Sequence, residues 1–211
     1  MTEHPPGSHE RTTHWQHIYE TTGTDAVSWY QSEPAVSLEL INLLGVAPEA
    51  STIDIGGGAS ILVDRLLARG FTDLTVLDIS TAALQASRQR VPDDAPVTWL
   101  VEDLLTWEPA CTYELWHDRA VFHFLSGQEI EDYQKVLWRA LSPGGAVIMA
   151  TFAADGPERC SGLPVTRYGP IVLGAALGKG FEIVEHRREI HMTPSGTVQP
   201  FTWIAARRAT I

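Results

Sequence analysis

Acidic residues that close short apolar runs are the most chemically loaded positions in this sequence. Asp54 lies within Thr52-Ile53-Asp54-Ile55 and is followed at once by Gly56-Gly57-Gly58, and Asp78 ends Leu74-Thr75-Val76-Leu77-Asp78 twenty-four residues later. An apolar run that breaks into glycines and then into a helical pattern reads as strand, tight turn and helix. Glycines are needed where the backbone reverses sharply and where a Cβ would collide with a ligand. Asp78 is placed to accept hydrogen bonds from both hydroxyls of a ribose. A dinucleotide fingerprint would continue with a glycine three residues beyond Gly58, so that a pyrophosphate could sit on the helix start, but Ile61 stands there. An acid beside the turn repels pyrophosphate and attracts an ammonium. The pattern fits a ligand with a ribose, a cationic end and no phosphate, and S-adenosylmethionine is such a molecule.

Two further motifs extend the series: Glu102-Asp103-Leu104 after the third apolar run, and Leu141-Ser142-Pro143-Gly144-Gly145 before the fifth. With Asp54-x-Gly56-x-Gly58 and Asp78, in that order, they resemble the class I S-adenosylmethionine-dependent methyltransferases over roughly residues 14 to 208. Ser60 stands where many members carry a third glycine, and a small residue suffices there. The resemblance implies that Gly56 and Gly58 pass close to the methionine part of the cofactor, with Asp54 holding it electrostatically and the backbone of His117 beside it. Asp78 takes the ribose, Ile79 packs on the adenine, and Asp103 bonds the adenine amino group, helped by the backbone of Leu104.

The fourth strand ends Trp116-His117-Asp118-Arg119-Ala120-Val121-Phe122-His123, where such enzymes bring cofactor and acceptor together. Asp118 or His123 is expected to orient the acceptor or take its proton, and Arg119 to pair with Asp118 or hold an acidic substrate. A loop at 155–164, rich in Gly and Pro, adds Arg159, with Arg167 just after it, as candidates for a substrate carboxylate. Cys160 in the same loop is a poor candidate nucleophile, because direct methyl transfer needs no covalent enzyme intermediate. Trp15-x-x-x-Tyr19 and Val27-Ser28-Trp29-Tyr30, with the acid-base pair after the fourth strand, resemble the seven-strand lysine methyltransferases of elongation factors and citrate synthase. They also resemble the tellurite and thiopurine methyltransferases, whose amino-terminal segment closes over the cofactor. Trp15, Tyr19 and Trp29 are therefore expected around the sulfonium, since an aromatic face attracts a desolvated cation.

These residues require an α/β scaffold. Alternating patterns predict strands at 52–55, 73–78, 97–102, 113–118 and 146–153, helices at 59–69, 81–90, 128–141 and about 169–178, and a final pair of strands at 181–191 and 198–207. The short turn Thr193 to Thr197 makes that pair an antiparallel hairpin. The expected fold is a doubly wound, mostly parallel seven-stranded Rossmann-like sheet with the last strand antiparallel. It spans residues 46–211 under an amino-terminal helical cap at 13–45, and residues 1–12 form a disordered tail.

Composition narrows the partners. The 211 residues carry a formal net charge of -11, which opposes nucleic acid as acceptor because such affinity comes from Lys and Arg on phosphates. The paired arginines at 187–188 and 207–208 read as solvated strand ends. No membrane-length apolar run or secretion signal is present. The two cysteines, Cys111 and Cys160, have no metal-ligand spacing, so no metal is expected and the setting is cytoplasmic. A monomer or homodimer is expected. A small molecule such as a thiol, a metalloid or an amine is the first choice of acceptor. A protein lysine is the alternative, weakened because His123 stands where the lysine enzymes carry an acid; binding of S-adenosylmethionine without transfer is a third reading. A nicotinamide oxidoreductase conflicts with Asp54 and Ile61.

Overall fold

The computed structural model describes residues 7–210. The apolar runs Thr52–Ile55 (β1) and Leu74–Asp78 (β2) are buried at every position, and their lack of polar alternation follows from having both sheet faces covered. They pair in parallel with each other, β2 with Val97–Val101 (β3), and β1 with Tyr113–Arg119 (β4). Leu141–Phe152 (β5) continues the parallel set beside β4. Beyond the short strands Arg159–Cys160 (β6) and Leu163–Pro164 (β7), Phe181–Met192 (β8) and Val198–Arg208 (β9) form the closing hairpin. The sheet order is β3-β2-β1-β4-β5-β9-β8, with β9 antiparallel to both neighbours. Strand order reverses between β1 and β4, and a ligand crevice opens beyond the carboxyl ends of strands at such a reversal.

One face of the sheet is covered by Ala35–Leu43 (α2), Leu62–Ala68 (α3) and Thr81–Arg88 (α4), through Leu38, Ile41, Leu62, Leu66 and Leu84. The other is covered by Gln128–Ala140 (α5) and Pro170–Ala176 (α6), through Tyr133, Leu137 and Leu173. Burial of this apolar surface on both faces is the main stabilising term. No described helix is long and apolar enough to cross a membrane.

Three elements differ from expectation. β5 begins at Leu141 and not at 146, because Leu141 pairs with Tyr113 before the register shifts at Leu115. The 155–164 loop contains the β6–β7 hairpin. The supposed tail is helical from its eighth residue: α1 spans Ser8–Thr21, opened by the Gly7 amide donating to Glu10 Oε2 at 3.0 Å. Residues 1–6 of that tail lie outside the described residues.

Asp118 shows how the sheet fixes its own edge. Its Oδ1 accepts from the backbone of Val121 and Phe122 at 3.0 and 3.4 Å, closing the reversal after β4 where Ala120 has a φ of 72°. Its Oδ2 accepts from the Tyr133 hydroxyl at 2.8 Å, and that hydroxyl accepts from Trp116 Nε1 at 2.9 Å. All three side chains are fully buried. Removing the shared hydroxyl strands a buried carboxylate oxygen and a buried indole N–H. Tyr133→Phe is therefore expected to lower unfolding free energy by about 2–4 kcal/mol, read by urea denaturation; a loss under about 0.5 kcal/mol would show that the chain is not needed.

Candidate functional site

The glycine turn is shaped by the carboxylates beneath it. A Cβ at Gly57 would lie 2.6 Å from Asp54 Oδ2 and 2.7 Å from Val76, and one at Gly58 would lie 2.7 Å from Asp78 Oδ2. Gly56 and Gly58 also have left-handed φ values of 62° and 37°, which side chains disfavour. Asp54 is engaged from the neighbouring strand and helix: its Oδ1 is 2.6 Å from His117 Nδ1, and His117 Nε2 is 2.9 Å from Ser37 Oγ on α2. Asp78 Oδ1 accepts from the Ser80 amide at 2.8 Å, and Ser80 Oγ accepts from Ala83 N to cap α4. Burial pushes the Asp78 carboxyl up to about 7; the Ser80 amide pulls it down and the nearby Asp54 charge pushes it up again.

Over these strand ends lies a chamber with a floor of Ile55, Gly56, Leu77, Asp78, Ile79 and Leu104 and a roof of Trp15, Tyr19 and Trp29. Trp15 and Tyr19 are carried by α1, which buries none of its residues fully and is held by side-chain contacts, and Trp29 comes from the segment that follows it. Trp15 meets Trp29 and Phe124 edge-on, with centroids at 5.8 and 5.1 Å. Gln16 Oε1 accepts from Ser80 Oγ and Ala82 N on one side. Arg11 pairs with Asp103 at 2.8 Å and Glu129 at 2.9 Å on the other. Partial burial works against ionisation of Asp103, but hydrogen bonds from Ser8 and Arg11 hold it below the usual carboxylate range.

Most of the expected site residues converge. Trp15, Tyr19, Trp29, Gly56, Asp78, Ile79, Asp103, Leu104 and Arg119 line this chamber. Asp54, Gly56, His117 and Arg119 line a second, adjoining it beneath Trp29 and Tyr30. Gly58 lies under Tyr19, whose hydroxyl would be 3.1 Å from its Cβ. Asp103 differs in one respect: Oδ2 is paired with Arg11 and Oδ1 accepts from Leu105 N.

Four expected residues lie elsewhere. Asp118 points to the α5 face, because alternation along β4 sends it opposite to His117 and Arg119, and its oxygens are taken by Tyr133 and the turn. His123 is fully buried; its Nδ1 accepts from Phe152 N at 3.3 Å, and burial, then the Arg119 charge, lowers it to about 3. It is a neutral imidazole outside both chambers. Arg159 is exposed and bonds the Gly162 carbonyl, since alternation on β6 turns Cys160 inward in its place. Arg167 bonds the Gly156 carbonyl and Glu158. The sequence reasoning missed Arg11, whose partners are 92 and 118 residues distant. It also missed Phe124 and Cys160 as chamber walls; the inward turn of Cys160 was readable from its alternation with Arg159.

Arg119 is electrostatically exposed in a different sense. Nη1 donates to the Trp29 carbonyl at 2.9 Å, and the guanidinium lies 4.5 Å over the Phe201 ring. Nε and Nη2 are buried with no partner, and Arg119 makes no ion pair among the described residues. Burial lowers its pKa, yet an arginine stays charged in proteins. An unpaired buried ion carries a penalty on the order of several kcal/mol, and a cation over a ring offsets only about 1–2 of it.

A sequence profile described as a methyltransferase domain matches residues 53–147, which hold the glycine turn, Asp78 and Asp103. Over those residues, somewhat less than half of the chain, the sequence is similar to the methyltransferase domain family. A malonyl-[acyl-carrier protein] O-methyltransferase of Ilyobacter polytropus is 26% identical over 132 residues, 61% of this chain and 47% of that protein. The chain thus spans about half the length of that curated relative. Among solved structures, an S-adenosylmethionine-dependent methyltransferase of Anabaena variabilis superposes with a TM-score of 0.74 at 17% identity, covering 94% of this chain and 95% of that one. The 1,6-didemethyltoxoflavin-N1-methyltransferase of Burkholderia thailandensis, bound to its substrate and S-adenosylhomocysteine, gives 0.70 at 15% identity over 99% and 93%.

The chemistry of the chamber's own lining suits S-adenosylmethionine. Asp78 offers acceptor capacity for a diol, Ile79 and Leu104 offer apolar walls, and three aromatic rings close over them. Ionisation of Asp78 favours donation from two hydroxyls. Because its carboxyl titrates at about 7, affinity for S-adenosylhomocysteine is expected to rise from about pH 6 to about pH 8, and Asp78→Asn to flatten that rise. In the free protein the sign is opposite: the folded state holds a proton that the unfolded chain releases between about pH 4 and 7, so stability from this group falls as pH rises through that window. Calorimetry across pH checks the first statement; a pH-independent wild-type affinity would contradict it.

Proposed function

We propose that the protein transfers the methyl group of S-adenosylmethionine in line to a nucleophilic N, O or S atom of a small molecule. The observation that carries this reading is the pair of glycine-backed carboxylates under an aromatic roof pinned on both sides by Gln16 and Arg11. When bound, the cofactor supplies a methyl already activated by sulfonium. The residues then have three tasks. Asp78 and Asp54 orient the ribose and the amino acid end, the rings of Trp15, Tyr19 and Trp29 exclude water and face the cation, and the enclosed floor aligns the two reactants. Alignment of this kind contributes up to about 7–11 kcal/mol, so little acid-base apparatus is required.

The roof supports a small acceptor over a polypeptide. A lysine acceptor is also disfavoured where it would meet Arg119, a cation beside the chamber with two unused N–H donors. The relatives' names differ in the accepting atom, O in one and N in another, which leaves that atom open. Cys111 and Cys160 are free thiols, in keeping with a reducing, cytoplasmic setting, and the chain acts as a monomer or homodimer.

The test is calorimetric titration with S-adenosylmethionine and S-adenosylhomocysteine, with NADH as control, followed by methyl-labelled cofactor with panels of thiols, amines and carboxylic acids. Dissociation constants on the order of micromolar for the first two are expected. Gly57→Ala, which drives a Cβ into Asp54, is expected to weaken both at least about tenfold. Binding of NADH in their place would overturn the reading, and tight binding without transfer to any acceptor class would make the protein a sensor of the cofactor.

A further inference from the structure

Arg119 ends β4 on the same face as Asp54 and His117 and forms part of the wall of both chambers. Its guanidinium holds two buried N–H-bearing nitrogens that no protein group uses. Glu189 and Asp54 attract it through space, but the Glu189 oxygens receive Gln31 and Trp203 Nε1 and Asp54 receives His117, and neither acid bonds Nε or Nη2. A cation with two unused buried donors beside a ligand chamber calls for an acceptor from the ligand, and an anion is the strongest.

Among the described residues, this end of the chamber offers no free base: both ring nitrogens of His117 are engaged, one by Asp54 and one by Ser37. Cys160 is beside it, but burial pushes its thiol up to about 11, so it stays protonated. His123 is outside the chamber with its Nδ1 occupied. An acceptor that needed a proton removed would find no free base beside Arg119 among the described residues.

We propose that the methyl acceptor is a small anion, bound already deprotonated, whose charge is matched by the guanidinium of Arg119. This rests on the methyltransferase reading above and adds the acceptor's class to it. The acceptor's lone pair forms the bond to the methyl carbon as that carbon's bond to sulfur breaks, and the electron pair leaves with sulfur. An anionic nucleophile becomes neutral in that step, and no proton moves. The cofactor's own carboxylate is the other anion that could meet Arg119, and the experiment separates the two.

The probes are two pairs of matched molecules, acetate with acetamide and benzoate with benzamide, titrated by calorimetry into the protein saturated with S-adenosylhomocysteine. The expected result is that at least one anion binds tenfold or more tightly than its neutral partner. Arg119→Met is expected to abolish that preference while S-adenosylhomocysteine affinity falls by less than tenfold, the lost bond to Trp29 accounting for the fall, and Arg119→Lys to keep part of the preference. Equal binding of anion and amide to the wild-type complex overturns the proposal without any variant, so a misfolded Arg119→Met does not protect it. A tenfold or larger loss of S-adenosylhomocysteine affinity in a folded Arg119→Met also overturns it, assigning the guanidinium to the cofactor's carboxylate. Failure of S-adenosylhomocysteine to bind the wild-type protein would be a failure of the methyltransferase reading itself.

Discussion

Two carboxylates buried at adjacent strand ends, with only hydrogen atoms on the glycines above them, are the constraint on which the rest of this structure depends. Gly57 and Gly58 are required less for the turn than for the oxygens of Asp54 and Asp78, which occupy the space a side chain would take. Burying two like charges together is costly, and the chain resolves it asymmetrically. Asp54 gains His117, itself held by Ser37 from α2. Asp78 gains only backbone donors and is left close to neutrality in its titration, ready for the hydroxyl donors of a ligand. The difference between the two acids gives the site a direction.

The fourth strand carries the same logic one residue at a time. His117, Asp118 and Arg119 are consecutive and all largely withdrawn from water, but pleating sends the middle one to α5 and the outer two to the chambers. Asp118 is consumed in holding the reversal that follows β4, where three donors satisfy it. Arg119 is consequently denied its nearest carboxylate. A salt bridge between these neighbours would have neutralised both; the sheet forbids it, and the charge left over lies beside the chamber.

This parity also explains what was legible in the sequence. The glycine turn, Asp78 and the acid after β3 depend on local pattern, so strand, turn and helix were readable together with the order of the sheet. The closing hairpin followed from a turn too short for a crossover. Asp118 and Arg119 were both expected at the site although a strand cannot present two successive residues to one face, and a strict period of two would have kept only one. The same test separates Arg159 from Cys160. Arg11 was beyond any local pattern, because its partners come from β3's far loop and from α5. The early start of β5 was hidden by Pro143 and the two glycines after it, which read as loop.

The roof over the chamber has a stability of a different kind from the core. α1 contributes no fully buried residue, so it is held by a few rings, one glutamine and one arginine. Surface ion pairs each contribute at most about 1 kcal/mol, and a helix of this length is marginal alone in water. The roof is therefore poised near the low end of the range of local stabilities. Each group that fastens it is tied to the ligand's surroundings: Gln16 to the cap beside Asp78, Arg11 to Asp103, and Trp15 to Trp29, whose carbonyl holds Arg119. A ligand that orders Asp78, Asp103 and Arg119 must then also tighten the helix above them, and by reciprocity of linked equilibria a fastened helix must raise the affinity beneath it.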